Sequence, residues 1–270
     1  MPLGLKELEW NLPANDLSRF GLSEMITAGR SIRDVSEDAQ SMEEAAGQLV
    51  KYFRERFADP RTGKNNCALV RCFKTHRLKD LPIDLKGIAR SLTKDTRGHE
   101  DNVACLTMLA TAGDRPEWND RTRSVNHAVI PLESVEVVEQ APMIAQLIRQ
   151  MDLEIGALLA PTEDLLIQAD ERAYGVFHIE KAKGSSFIPS QEFVVECGIE
   201  SVLGFGGLLP SGDLFAMILF SRVPISRETA HLFRTIALSV KLVLLPFSRG
   251  RIFQDERSSQ PAPDTHAWEY

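Results

Sequence analysis

Gly198-Ile-Glu-Ser-Val-Leu-Gly-Phe-Gly-Gly-Leu-Leu-Pro-Ser-Gly-Asp-Leu-Phe-Ala-Met-Ile-Leu-Phe-Ser-Arg222 decides the fold. Two apolar runs, Val202–Leu209 and Leu214–Arg222, flank Ser211-Gly212-Asp213. Turn-forming residues between two strand-like runs predict an antiparallel hairpin. Ser226 then offers a side-chain oxygen to the first amides of a helix. Its apolar positions Ala230, Phe233, Ile236, Ala237, Val240 and Leu244 keep helical spacing. Pro246 stops the helix, because proline has no amide to continue the ladder.

Working back toward the N-terminus, Ala104–Gly113 is a nearly unbroken run of small apolar residues, as a central strand buried on both faces requires. Cys67–His76 reads as another strand, Lys79–Leu92 as a short helix, and Thr93–Asn102 as a polar loop. Ser41-Met-Glu-Glu44 is a capping box, followed by Ala45, Ala46, Leu49, Val50, Phe53 and Phe57 on one helical face. A weaker helix spans Asp16–Asp38, weakened by Gly21 and Gly29. Beyond residue 113 the pattern predicts one helix over Glu139–Leu159, a short helix near Thr162–Glu171, a strand over Gly175–Lys181 and a short helix over Pro189–Glu196. Residues 114–138 carry no clear period. The expected organisation is an N-terminal extension with a helix at 1–40, a main domain at 41–247, and a polar, mobile tail at 248–270.

The chain has 270 residues, with 31 Lys and Arg against 38 Asp and Glu, a net charge of −7. That balance, with no basic block, disfavours binding to nucleic acid or to an anionic membrane surface. The first residues lack the cationic start and apolar core of a signal peptide, and the apolar runs are too short to span a bilayer. Four scattered cysteines imply free thiols in a reducing compartment. The expected location is cytoplasmic.

Helix, strands, intervening helices, hairpin and closing helix describe an α+β fold with a central antiparallel sheet. Four features resemble a GAF domain: Leu109-Ala-Thr-Ala-Gly113, Gly198-Ile-Glu-Ser-Val-Leu-Gly-Phe205, the Ser211-Gly-Asp213 turn, and Pro224-Ile-Ser-Arg-Glu228 leading to Phe233-Arg-Thr-Ile-Ala237. The resemblance covers about residues 41–247. It implies flanking N- and C-terminal helices, and it places the extra length between Gly113 and Gly175 where such domains carry a ligand lid. It further implies a sensory module that binds a small molecule and signals through protein contacts to a separate kinase, phosphatase or cyclase. Helices at 17–57 and 227–245 would pair between subunits of a homodimer. The alternatives are a structural or protein-interaction GAF domain without ligand, and a thiol-based redox sensor or an enzyme similar to the free methionine sulfoxide reductases.

Within that resemblance, pigment-binding members attach a bilin to a cysteine followed by histidine. Here the cysteines are followed by Ala68, Phe73, Leu106 and Gly198, so no bilin attachment is expected. The Asn-Lys-Phe-Asp-Glu set of nucleotide-binding members has no convincing counterpart. The ligand wall is expected from Met108, Trp118, Phe177, His178 and Phe205, with Arg121 or Arg123 near the mouth; the alternative is that these aromatics fill the core. His178 has no partner pattern for haem or metal. Cys67 and Cys72, an odd number of residues apart on a strand, are expected to face opposite ways and not to share a metal with His76. Cys72 and Cys105 are candidates for neighbouring thiols on adjacent strands. No catalytic constellation is recognisable.

Overall fold

A computed structural model describes residues 15–93, 100–124, 127–150, 153–160 and 174–254. Its centre is a six-stranded sheet in the order β3-β2-β1-β6-β5-β4, with every neighbouring pair antiparallel. The strands are β1 (Cys67–Arg77), β2 (Ala104–Gly113), β3 (Val129–Leu132), β4 (Tyr174–Ile179), β5 (Ser201–Leu208) and β6 (Leu214–Ser221). The expected hairpin is β5–β6, with Phe205 opposite Met217, and β6 continues onto β1 with Met217 opposite Cys72.

The hairpin turn is fixed from outside as well as from within. Gly212 takes a left-handed φ of 80°, which glycine adopts without steric cost. Asp213 accepts hydrogen bonds from Ser211 Oγ (2.7 Å) and from the Nζ of Lys74 on β1 (2.9 Å). Lys74 is buried and also donates to the Thr75 carbonyl oxygen, while Leu214 N–H donates to Thr75 Oγ1. A buried ammonium is thus satisfied by the turn it holds.

Side-chain alternation gives the sheet two apolar faces. On one, Val70, Cys72, Leu203, Phe205, Phe215, Met217 and Leu219 meet a helix layer. That layer comprises α1 (Leu22–Val35), α2 (Met42–Arg56) and α8 (Arg227–Leu244), numbered among the described helices. α2 begins at the expected Ser41 cap and α8 at Ser226. Phe205 sits edge-on to Phe53 (5.5 Å between centroids) and beside Phe233 (5.2 Å), joining sheet, α2 and α8. By length and composition the stretch Arg227–Phe247 could cross a bilayer, but its apolar stripe is spent on the sheet.

The other face presents Leu69, Phe73, Leu106, Met108, Phe177, Ile218 and Phe220 to a second layer. This lid is assembled from α4 (Val135–Glu139), α5 (Pro142–Gln150), α6 (Ile155–Leu159), α7 (Gln191–Glu196) and 3-10 turns; α3 (Ile83–Leu92) lies nearer the β3 edge. The arrangement is the expected α+β one: an antiparallel sheet, flanking terminal helices, and a long lid segment after β2.

Several boundaries differ from the sequence reading. The single helix expected at 139–159 is two short ones, α5 and α6, and a third, α4, precedes them over Val135–Glu139. Ser134 caps α4 by accepting from Val137 N–H, and Pro142, which lacks an amide and suits a first helical position, opens α5. β3 was hidden in the aperiodic stretch; its Pro131 is tolerated because β3 is an edge strand. The 1–40 extension is in part core, since Leu17, Phe20, Ala28 and Ile32 are buried with α8. The 248–270 tail likewise starts docked: Met42 and Glu43 amides donate to the Arg251 and Ile252 carbonyls, and Phe253 is buried against His76. The helix expected near 162–171 lies outside the described residues.

Removing one partner of a buried ion pair leaves a desolvated charge, whereas an apolar replacement of the charge itself is often neutral. Asp213→Ala is therefore expected to destabilise by about 3 kcal/mol, and Lys74→Met by less than about 1 kcal/mol. Urea unfolding of both variants checks this; equal losses would contradict the assignment.

Candidate functional site

Between sheet and lid lies a cavity of about 410 Å³. Alternate residues of β1 (Leu69, Arg71, Phe73) and β6 (Ile218, Phe220), with Leu106 and Ile130, make its floor. Trp118, Met143, Ile144, Leu147, Ile188 and Phe193 make its roof. The lining is overwhelmingly apolar, with Arg71, His127 and Ser190 as its polar members. A concave apolar volume of this size with few polar groups is the usual form of a small-molecule site.

Trp118 is held in place by the end of β2. Thr111 Oγ1 donates to the Trp118 carbonyl (2.9 Å), and Asn119 clamps Gly113, accepting its N–H (3.1 Å) and donating to its oxygen (2.9 Å). The indole then stands edge-on to Phe193 of α7, which stands edge-on to Phe220. Arg115 lies over the Trp118 ring at 4.8 Å and pairs with Glu196 at 2.8 Å, fastening the two lid segments together. Asp114, at the root of the lid, accepts from Arg54 of α2 (3.0 Å) and from Arg222, which leads toward α8. Burial alone would raise the Asp114 carboxyl, but the hydrogen bonds from Arg222 and Arg54 outweigh it and hold it below its usual value.

Arg71 has no such partner. Only 9% exposed, it pairs with no carboxylate among the described residues, and its buried Nε lacks a hydrogen-bond partner. Burial lowers its pKa to about 10, so it remains a cation at neutral pH. His127 lies at the rim, where loss of water and then the Arg71 charge push its pKa below the ordinary histidine value.

Of the residues expected to form a ligand wall, Trp118 alone lines this cavity. Met108 and Phe177 share its side of the sheet but are buried in the packed layer beside it. Phe205 points the other way into the helix layer, and His178, one residue from Phe177, does so by strand alternation. His178 lines a separate cleft of about 390 Å³ with Gln150, Arg227, His231 and Arg234. The β4 edge there is closed by Gln150, whose Oε1 accepts from His178 N–H (3.0 Å). Burial lowers the His178 pKa. Arg121 turns toward the helix layer, pairing with Glu43 and, at 3.9 Å, with Asp84, its guanidinium 5.5 Å from the Phe253 ring; Arg123 is exposed. Arg71 was not singled out from the sequence, although a lone cation inside Ala68-Leu-Val-Arg-Cys-Phe73 was its visible signal.

None of the four cysteines lines the cavity. Cys67 and Cys72 both enter the helix-side core, because the register slips by one residue between Cys67 and Leu69 and cancels the odd spacing. Cys105 faces His76 across the strands, and Cys72 faces Ala110, so Cys72 and Cys105 are not paired neighbours. Burial pushes the thiols of Cys67, Cys72 and Cys105 up to about 12. Among the described residues no group of three or more His, Cys, Asp and Glu is placed to hold a metal.

No family model matches the sequence. No curated protein matches it either. Among solved structures, the chain is similar to the GAF domain of a phosphoenolpyruvate-protein phosphotransferase from Coxiella burnetii. The TM-score is 0.41 at 10% identity, over 82% of this chain and 92% of that one. It is also similar to the chromophore-binding domain of an unusual bacteriophytochrome from R. palustris, with a TM-score of 0.41 at 12% identity, over 84% of this chain and 63% of that one. Neither likeness bears on ligand or chemistry; those rest on the residues of this cavity.

Gly113, at the end of β2, packs tightly against Trp118. A Cβ there would lie 2.8 Å from Trp118 Cε3 and 3.0 Å from Leu69 Cδ1. Gly113→Ala is expected to push the indole off its seat and destabilise the protein by about 1–3 kcal/mol. A red-shifted tryptophan emission with a lowered melting temperature checks this; an unshifted spectrum would show that the roof is loose.

Proposed function

We propose that this chain is a sensory module that takes a small molecule into the lid-side cavity and passes its occupancy to a protein partner. The observation that carries the reading is the cavity itself. An apolar volume of about 410 Å³ lies between the sheet and the lid, with a tryptophan in its roof. Occupancy would act on Trp118 and on the root of the lid, where Asp114 joins Arg54 of α2 to Arg222 ahead of α8. Lid and helix layer therefore share one charged junction.

The outer surface of the helix layer supports a protein contact. α1 leaves Leu22 and Ile26 exposed, and α8 leaves Leu238 and Leu242 exposed, each pair one helical turn apart. The expected partner is a second copy of the chain, joined through α1 and α8 in an isologous contact. Light scattering at tens of micromolar is expected to give twice the 30.1 kDa chain mass, and Leu238→Glu with Leu242→Glu to return it to the monomer. A monomer from the unaltered protein would remove this part of the reading.

The ligand reading is tested by native mass spectrometry of protein purified from its own host. One retained small molecule per chain is expected, and its re-addition to stripped protein should shift tryptophan emission in the unaltered protein but not in Trp118→Phe. A ligand confirmed bound by calorimetry that leaves the Trp118 signal unchanged would place the site elsewhere.

A further inference from the structure

Two arginines in this protein are equally buried, and their surroundings differ. Arg121 and Arg71 are each 9% exposed. Arg121 has Glu43 against its guanidinium and Asp84 nearby. Arg71 projects from the middle of β1 into the cavity floor, between Leu69 and Phe73, with no carboxylate beside it among the described residues. Its strand neighbours across the sheet are Thr111 and Ile218, both uncharged. A charge in such a place is costly unless something pairs with it.

We infer that Arg71 is the anchor for an anionic ligand, and that the cavity takes small organic acids: one carboxylate, or a group of the same charge and shape, on an apolar body. The inference rests on the ligand-binding reading above and narrows it. The planar guanidinium matches a carboxylate through two parallel hydrogen bonds, which fixes orientation as well as charge. Apart from His127 and Ser190, the remaining walls, Leu106, Leu147, Phe193 and Phe220 among them, offer apolar contact to the rest of the molecule. Head and body are thus read by different surfaces. Burial makes the pair stronger than it would be in water.

The test uses the full chain and three matched series of probes: straight-chain and phenylalkyl carboxylates, from hexyl to dodecyl in length, with the alcohols and the amines of the same bodies. Dissociation constants come from Trp118 emission and from the rise in melting temperature. The best carboxylate is expected to bind about tenfold to a hundredfold more tightly than its alcohol, the range of a charge-assisted hydrogen bond, and the amine more weakly than either. Arg71→Met should abolish the advantage of the carboxylate over the alcohol of the same body. It should also raise the melting temperature of the ligand-free protein, since it removes an unpaired buried charge; a residue that merely supports the fold would lower it. Arg71→Lys should keep part of the preference.

Equal binding of carboxylate and alcohol by the unaltered protein would overturn the anion assignment and leave the cavity reading standing. A carboxylate preference that survives Arg71→Met would move the anchor to another residue and overturn the inference. Failure of every probe to bind, with no melting shift, would contradict the cavity reading and the inference together.

Discussion

Everything in this fold follows from a sheet that is apolar on both faces. β1, β2, β5 and β6 are buried along nearly their whole lengths, so neither face can be left to water and the sheet must be covered twice. The two covers are unlike. Long amphipathic helices with well-spaced phenylalanines close one face, interlocked through Phe53, Phe205 and Phe233. Short helices and single turns close the other, and such pieces cannot interdigitate with a twisted sheet along its full width. The cavity is where that second cover falls short. Its apolar lining forfeits dispersion contacts that a ligand of the right shape would restore.

Buried cations mark the same division between filled and unfilled space. Lys74 is neutralised by Asp213, which locks the β5–β6 turn onto β1. Arg121 is neutralised by Glu43, which ties the segment after β2 to α2 and to the start of the C-terminal segment through Gln254 N–H. Both hold elements together. Arg71 joins no two elements, and it points into open space. Asp114 does the opposite: one exposed carboxylate at the base of the lid pairs with two guanidiniums, Arg54 of α2 and Arg222 ahead of α8.

The fold was largely legible in the sequence because its strongest elements obey local rules. Ser41 and Ser226 cap their helices, Gly212 makes its turn, and the small apolar run of β2 reads as a central strand. The lid was not legible, because its helices are too short to show a period and its strand β3 contains a proline. The site was legible only at Trp118. Phe177 and His178 are neighbours in sequence but lie on opposite faces by strand alternation, and Phe205 follows the helix side. A slip of one residue at Cys67 reversed the expected facing of that side chain. Arg71 required the opposite argument: a charge whose meaning appears only once its surroundings are known to hold no counter-charge.

Hydrogen–deuterium exchange across the whole chain, with and without a ligand confirmed bound, tests the central claim most directly. Filling the lid-side cavity should slow exchange most in the amides of α5 and α7 and in the turn carrying Trp118. A smaller change should follow in α2 near Arg54 and at the start of α8. Protection confined to α1 and α8, with the lid unaffected, would show that the ligand binds the helix layer and that the cavity is not the site.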